Sequence, residues 1–193
     1  MPTGIAIRDV REQLFDAAER ILLRDGANAL TSRAVTTEAG VAKGVLHRHF
    51  EDFDAFLAEL VLDRIGRIED HSRALRDSAG TGAVVDNLTA VLTELFGTIA
   101  LRIVGLVIAR DDLRARLREA RGGGLPVLRE ATAMVAGYLA AERDLGRVPA
   151  DAEVDLIAPA LIGAAHLLFA DTEGTTPGDG EVRRVVATVV TVE

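Results

Sequence analysis

Apolar positions recur with a period near 3.6 along almost the whole chain, which predicts helices nearly everywhere. Val10, Leu14, Ala17, Ala18, Ile21 and Leu22 stand at i, i+4, i+7, i+8, i+11 and i+12, one stripe on a first helix. Gly26 follows where a glycine commonly ends a helix. Thr31 is placed to cap a second helix, with Ala34, Val35 and Ala39 turned inward. A tight Gly40-Val41 turn leads to a third helix from about Ala42 to His49, anchored by Val41, Leu46, Phe50 and in part Val45. A fourth begins near Asp52 and carries Phe53, Phe56, Leu57, Leu60, Val61 and Ile65, until Ser78-Ala-Gly-Thr-Gly82 breaks it.

Beyond that break the same period predicts helix from about Val84 to Ala109, either one piece or two meeting near Gly97, and again from Asp112 to Arg121. Gly122 to Gly124 and Pro126 mark an interruption, then Leu125 to Leu145 reads as helix up to Gly146 and Pro149. Asp151 to Phe169 is helical with Pro159 inside, which predicts a kink because the carbonyl of Asp155 loses its partner. Asp171 to Gly180, rich in Gly, Thr and Pro, reads as a flexible connection. Val182, Val185, Val186, Val189 and Val190 recur at i, i+3, i+4, i+7 and i+8, although β-branched residues by themselves favour a strand. Periodicity and context favour helix. The fold class expected is all-α.

With 193 residues, 49% of them hydrophobic, the chain can bury a sizeable core as one domain or as a small one plus a medium one. It has no cysteine, so disulfides, thiolate metal sites and cysteine nucleophiles are excluded. The first residues lack the apolar core of a signal peptide, and the run Leu156 to Ala170 is too short to span a bilayer, so a cytoplasmic protein with no membrane partner is expected. No Ser-His-Asp cluster, carboxylate pair, His-based metal spacing or glycine-rich phosphate loop stands out, which predicts no enzyme activity, no metal and no cofactor. Arg102, set in the apolar run Ile99 to Ile108, is expected to need a carboxylate, water or ligand anion.

The net charge of −8 argues against DNA until it is divided. Residues 1–50 hold seven Lys/Arg against six Asp/Glu, whereas residues 51–193 hold fifteen against twenty-four. The segment 26–50 is what points to DNA: two short helices about a tight turn, with basic and polar residues crowded on the second, is how a helix is offered to the major groove. Lys43 in that second helix is the chain's one lysine.

Leu30-Thr-Ser-Arg33, followed by Ala39-Gly-Val-Ala-Lys-Gly-Val-Leu-His-Arg-His-Phe50, resembles the TetR family of bacterial transcriptional regulators. The resemblance covers about residues 8–62, and Ala140 to Asp151 looks like the family's linker between its seventh and eighth helices. It implies a three-helix helix-turn-helix DNA-binding domain at 1–50 and a helical ligand-binding and dimerisation domain at 51–193. It further implies a homodimer, a double-stranded DNA operator of palindromic form, and a small effector whose binding releases that operator. Thr31 and Ser32 fall where the family touches phosphates, and Arg33 falls where a side chain reaches a base. Lys43, Gly44 and Val45 match the exposed start of the recognition helix, His47 the family's usual Tyr, Arg48 its variable position and His49 its His. Ala42 stands in place of a capping Ser. Phe53 replaces a common Lys amid Glu51, Asp52 and Asp54, which predicts weak or salt-sensitive binding.

For the effector, Leu92, Phe96, Met134 and Phe169 are expected to line an apolar cavity, with Thr93, Tyr138 and His166 as polar handles. With six Phe, one Tyr and no Trp, a mostly aliphatic, hydrophobic ligand fits better than an aromatic cage would suggest. Ala160, Gly163, Ala164 and Leu167 form a small-residue stripe that suits dimerisation, to which Val182, Val186 and Val189 would add area. The rival readings are a helical protein–protein adaptor or ligand carrier that has lost DNA binding, for which the acidic link at 51–54 argues, and a helical enzyme.

Overall fold

The computed structural model describes residues 7–97, 99–171 and 177–190. Among these the regular structure is helical throughout, as expected: α1 (Ile7–Asp25), a short 3-10 turn (Ala27–Ala29), α2 (Ser32–Glu38), α3 (Val45–His49), α4 (Phe53–Asp77), α5 (Val84–Phe96), α6 (Ala100–Ala109), α7 (Asp111–Arg121), α8 (Leu128–Asp144), α9 (Val154–Ala170) and α10 (Asp179–Val189). No single helix among the described residues is long and apolar enough to cross a membrane.

The chain forms two compact units. The first takes the described residues up to Asp63 together with Arg102–Gly123, and the second takes Arg64–Leu101 and the described residues from Gly124 onward. In the first unit the α1 stripe is buried at Leu14, Ala17, Ala18, Ile21 and Leu22, with Val10 at its half-exposed end. Gly26 takes φ +81 after α1, a conformation that favours glycine. Four phenylalanines, Phe15, Phe50, Phe53 and Phe56, pack as a ring cluster with centroids 5.0 to 6.0 Å apart along its contacts. Such aromatic pairs add to the stabilisation that burial alone provides.

The second unit packs α8 and α10 against α9, with α10 also lying along α5. Val182 and Val186 are the buried residues of α10, so the valine stripe is helical and is used inside its own chain. A polar network ties the loop after α4 to α8. Asn87 donates to the Thr81 carbonyl and to the Tyr138 hydroxyl, each at 2.9 Å. The Gly80 N–H donates to Glu142 at 3.2 Å, and Arg147 pairs with the same carboxylate. Burial, then the neighbouring Glu142, pushes the Tyr138 phenol up to about 12.

Several expectations need adjustment. Of the two readings left open for Val84 to Ala109 the structure takes the second, α5 ending at Phe96 beside Gly97 and α6 starting at Ala100. The helix expected from Leu125 starts at Leu128, because Gly124 and Val127 both take positive φ around Pro126. The Val127 N–H donates to Glu130 at 2.8 Å, which fixes that entry. The one expected from Asp151 starts at Val154 and includes Pro159. Arg102 is exposed rather than buried, so it has no desolvation to offset. Residues 172–176 of the predicted flexible connection lie outside the described residues.

Candidate nucleic-acid interface

The helix-turn-helix is built by local chemistry. Thr31 is extended at φ −132 and its hydroxyl accepts from the Ala34 N–H at 3.1 Å, capping α2. At the other end Gly40 takes φ +68, its N–H donates to the Thr37 carbonyl, and the Val41 N–H donates to the Thr36 carbonyl. These two bonds, 3.1 and 3.0 Å, are the Schellman arrangement, and it ends α2 and aims the chain into the next segment. Gln13 on α1 donates to the Ala39 carbonyl at 2.8 Å, holding the end of α2 to α1.

The recognition segment is shorter than its sequence suggests. Regular α-helix runs only from Val45 to His49, with Lys43 and Gly44 in the turn before it and the Val45 N–H donating to the Ala42 carbonyl at 2.9 Å. No side chain caps this start. Ala42 lacks a hydroxyl with which to cap this start, a bond ordinarily worth about 1 kcal/mol. Leu46 and Phe50 are buried and pin the segment from below, while Arg11 sits 4.7 Å over the Phe50 ring.

What remains outside is the proposed contact set. Thr31, Arg33, Lys43, Gly44, His47 and Arg48 are exposed, whereas Ser32, Val45 and His49 are half-buried. On α2, Arg33 and Thr37 are exposed one turn apart, and Thr31, Arg33 and Thr37 line one open groove with Ala34 and Glu38. Thr37 was not singled out from sequence, although a position four residues after Arg33 is the signal that finds it.

Electrostatics separate this face from the acidity of the chain. Glu38 is the one carboxylate between residues 26 and 50. Arg20 donates to it at 2.9 Å and Arg24 at 3.2 Å, which holds its carboxyl below the usual range. The acidic link after α3 is likewise engaged. Asp52 accepts from the Ala55 N–H at 2.7 Å, capping α4, and also pairs with Arg116. Arg110 donates to Asp54 at 2.9 Å and lies 5.7 Å over the Phe53 ring. Phe53 therefore carries a structural contact where a Lys was the alternative. With residues 102–123 included, the first unit holds thirteen Lys/Arg against fourteen Asp/Glu, close to neutral.

The residues proposed for an effector lie in the second unit. Leu92, Phe96, Met134, Tyr138 and Phe169 are buried in its core. Phe96 meets the His166 ring edge-on at 6.1 Å and Phe169 at 5.8 Å. Tyr138 is committed to the Asn87 and Glu142 network. The Thr93 hydroxyl and His166 Nδ1 are both shielded from solvent and have no hydrogen-bond partner among the described residues. The proposed dimer residues divide as well. Ala160, Gly163 and Leu167 are exposed on α9 and Ala164 and Val189 half-exposed, whereas Val182 and Val186 face their own core.

Comparison with known proteins finds likeness to one group. The family model of bacterial regulatory proteins, tetR family, matches residues 14–60. An uncharacterized helix-turn-helix-type transcriptional regulator of Haemophilus influenzae is 35% identical over 51 residues, covering 26% of this chain and 27% of that one. The chain thus spans about a quarter of the length of that curated relative. A TetR-family member from Streptomyces coelicolor superposes with a TM-score of 0.67 at 22% identity, covering 95% of this chain and 99% of the other. The transcriptional regulator FadR from Bacillus subtilis, solved with stearoyl-CoA, gives 0.69 at 19% identity, covering 93% of this chain and 97% of that one.

Proposed function

We propose that this chain, whose residues 14–60 belong to the TetR family of bacterial regulatory proteins and whose helical fold is shared with solved proteins of that group, is a DNA-binding transcriptional regulator. It acts in the cytoplasm as a homodimer on a palindromic operator, as a repressor that a small hydrophobic molecule releases. The observation that carries the reading is the set of exposed cations Arg33, Lys43 and Arg48 on a two-helix unit whose one carboxylate is already paired. The engagement of Asp52 and Asp54 by Arg116 and Arg110 removes the main argument for an adaptor.

For the dimer, the support is the exposed α9 face. Leu156 and Leu167 are 64% and 69% exposed, with Ala160 and Gly163 between them on the same stripe. A two-fold interface covers such a stripe with itself. The two recognition segments then meet major grooves about 34–36 Å apart, or a multiple of that. For the effector, the support is the Thr93 hydroxyl and His166 Nδ1, two shielded polar atoms on half-buried residues without a hydrogen-bond partner among the described residues, and a ligand that favours another head spacing draws the population off the operator.

A mobility-shift titration on duplexes from the promoter beside the chain's own gene, at two salt concentrations, tests the reading. A specific shift that salt weakens and Arg33→Ala abolishes is expected. A folded dimer that gives no specific shift at low salt refutes it.

A further inference from the structure

The chemistry of the exposed face narrows what sequence it reads, given that it reads DNA at all. Between residues 31 and 50 there is no Asn, Gln or Asp, and Glu38 is held by Arg20 and Arg24. Selecting adenine in the major groove takes a side-chain amide, which donates to N7 while accepting from the N6 amino group, and selecting cytosine takes a free carboxylate for its N4 amino group. This face offers neither. Its hydroxyls are those of Thr31, which accepts from the Ala34 N–H, of the half-buried Ser32 and of Thr37, and a hydroxyl pairs with any base and so selects none. His47 brings a single ring nitrogen as acceptor at most.

Two long cationic donors remain at the positions suited to base edges. Lys43 stands before the first turn of α3, the end of a recognition helix that reaches bases. Arg33, in the first turn of α2, is exposed and lines the groove with Thr31. Arg48, in the last turn of α3, is at the end that faces the phosphate backbone. Gly44 and Val45 contribute only close approach and an apolar surface that suits a thymine methyl.

We propose that Arg33 and Lys43 each take the paired O6 and N7 acceptors of a guanine, so that every operator half-site is fixed by two guanines and no adenine is positively selected. This rests on the DNA-binding reading. The test is selection of bound duplexes from a randomised pool by the full-length protein, followed by titration of the winning site. Half-sites with two invariant guanines are expected, Arg33→Ala relaxing one position and Lys43→Ala the other, each with a loss of about five- to 150-fold against the selected site. Replacing either guanine with 7-deazaguanine, which lacks the N7 acceptor, lowers affinity, whereas inosine, altered only in the minor groove, does not. Lys43→Gln supplies the missing amide and moves the preference at its position from guanine to adenine. A selected half-site that carries adenine at these positions, or that ignores 7-deazaguanine, overturns the proposal while leaving DNA binding intact. A folded dimer that enriches no sequence overturns DNA binding itself, and this proposal with it.

Discussion

Gly40 and Gly44 lie four residues apart and are both exposed, and alanine at each should move stability in opposite directions. A Cβ built on either meets nothing within 4 Å, so sterics inside the chain do not separate them. The backbone does. Gly40 takes φ +68, which costs an L-residue about 1–2 kcal/mol, whereas Gly44 takes φ −80 and ψ −6, a helical conformation that alanine prefers. Gly44→Ala should therefore gain about 0.4–1 kcal/mol, chiefly by narrowing the unfolded ensemble. For a chain of this size each kcal/mol moves Tm by about 2–4 °C, so the two variants should straddle the wild type. Urea and thermal melts at one fixed protomer concentration measure this, since the stability of the proposed dimer depends on concentration. A mobility shift supplies the second readout. If the open space at Gly44 is where the DNA backbone comes close, the stabilised variant loses at least tenfold in affinity, because its methyl occupies that space. Equal operator affinity in Gly44→Ala removes close approach as the reason for this glycine. A fall in stability in that variant refutes the conformational argument outright.

Thr31→Ala removes the hydroxyl that caps α2 and should cost about 1 kcal/mol in a urea melt, with Thr31→Ser restoring most of it. Leu167→Glu, on the exposed face of α9, should convert the proposed dimer to a monomer in sedimentation without unfolding the chain, and a dimer of unchanged mass places the interface elsewhere. Tyr138 is protonated more tightly folded than unfolded, so the stability it contributes is present below pH about 10 and is lost as pH rises towards about 12. Tyr138→Phe should flatten that alkaline decline, and a decline of the same size in the variant assigns it to another group.

The parts legible in the sequence were the local ones. The α1 stripe, the Gly26 stop, the Thr31 cap and the Gly40 turn each depend on a few neighbouring residues, and all four stand in the structure. The difference in φ between Gly40 and Gly44 is not written in residue type, nor is the late start of α3. Arg102 was misplaced because an apolar run does not say which side of a helix meets solvent. Valine periodicity gave α10 its helical form but not its neighbours, and Val182 and Val186 proved to belong to the chain's own core. The pairing of Asp52 with Arg116 and Asp54 with Arg110 joins residues more than fifty positions apart, for which spacing carries no signal.

That long-range pairing reaches back into how the protein is made. The link that follows the recognition segment is complete only when Arg110 and Arg116 are present to meet Asp54 and Asp52. About sixty further residues must therefore leave the ribosome after the helix-turn-helix has emerged, roughly 3–12 s of synthesis at ordinary rates. During that interval the nascent head carries the unneutralised acids Glu51, Asp52 and Asp54 beside its DNA face. On the proposed DNA-binding reading, such a head is less favourable for phosphate until Arg110 and Arg116 have followed and paired with Asp54 and Asp52.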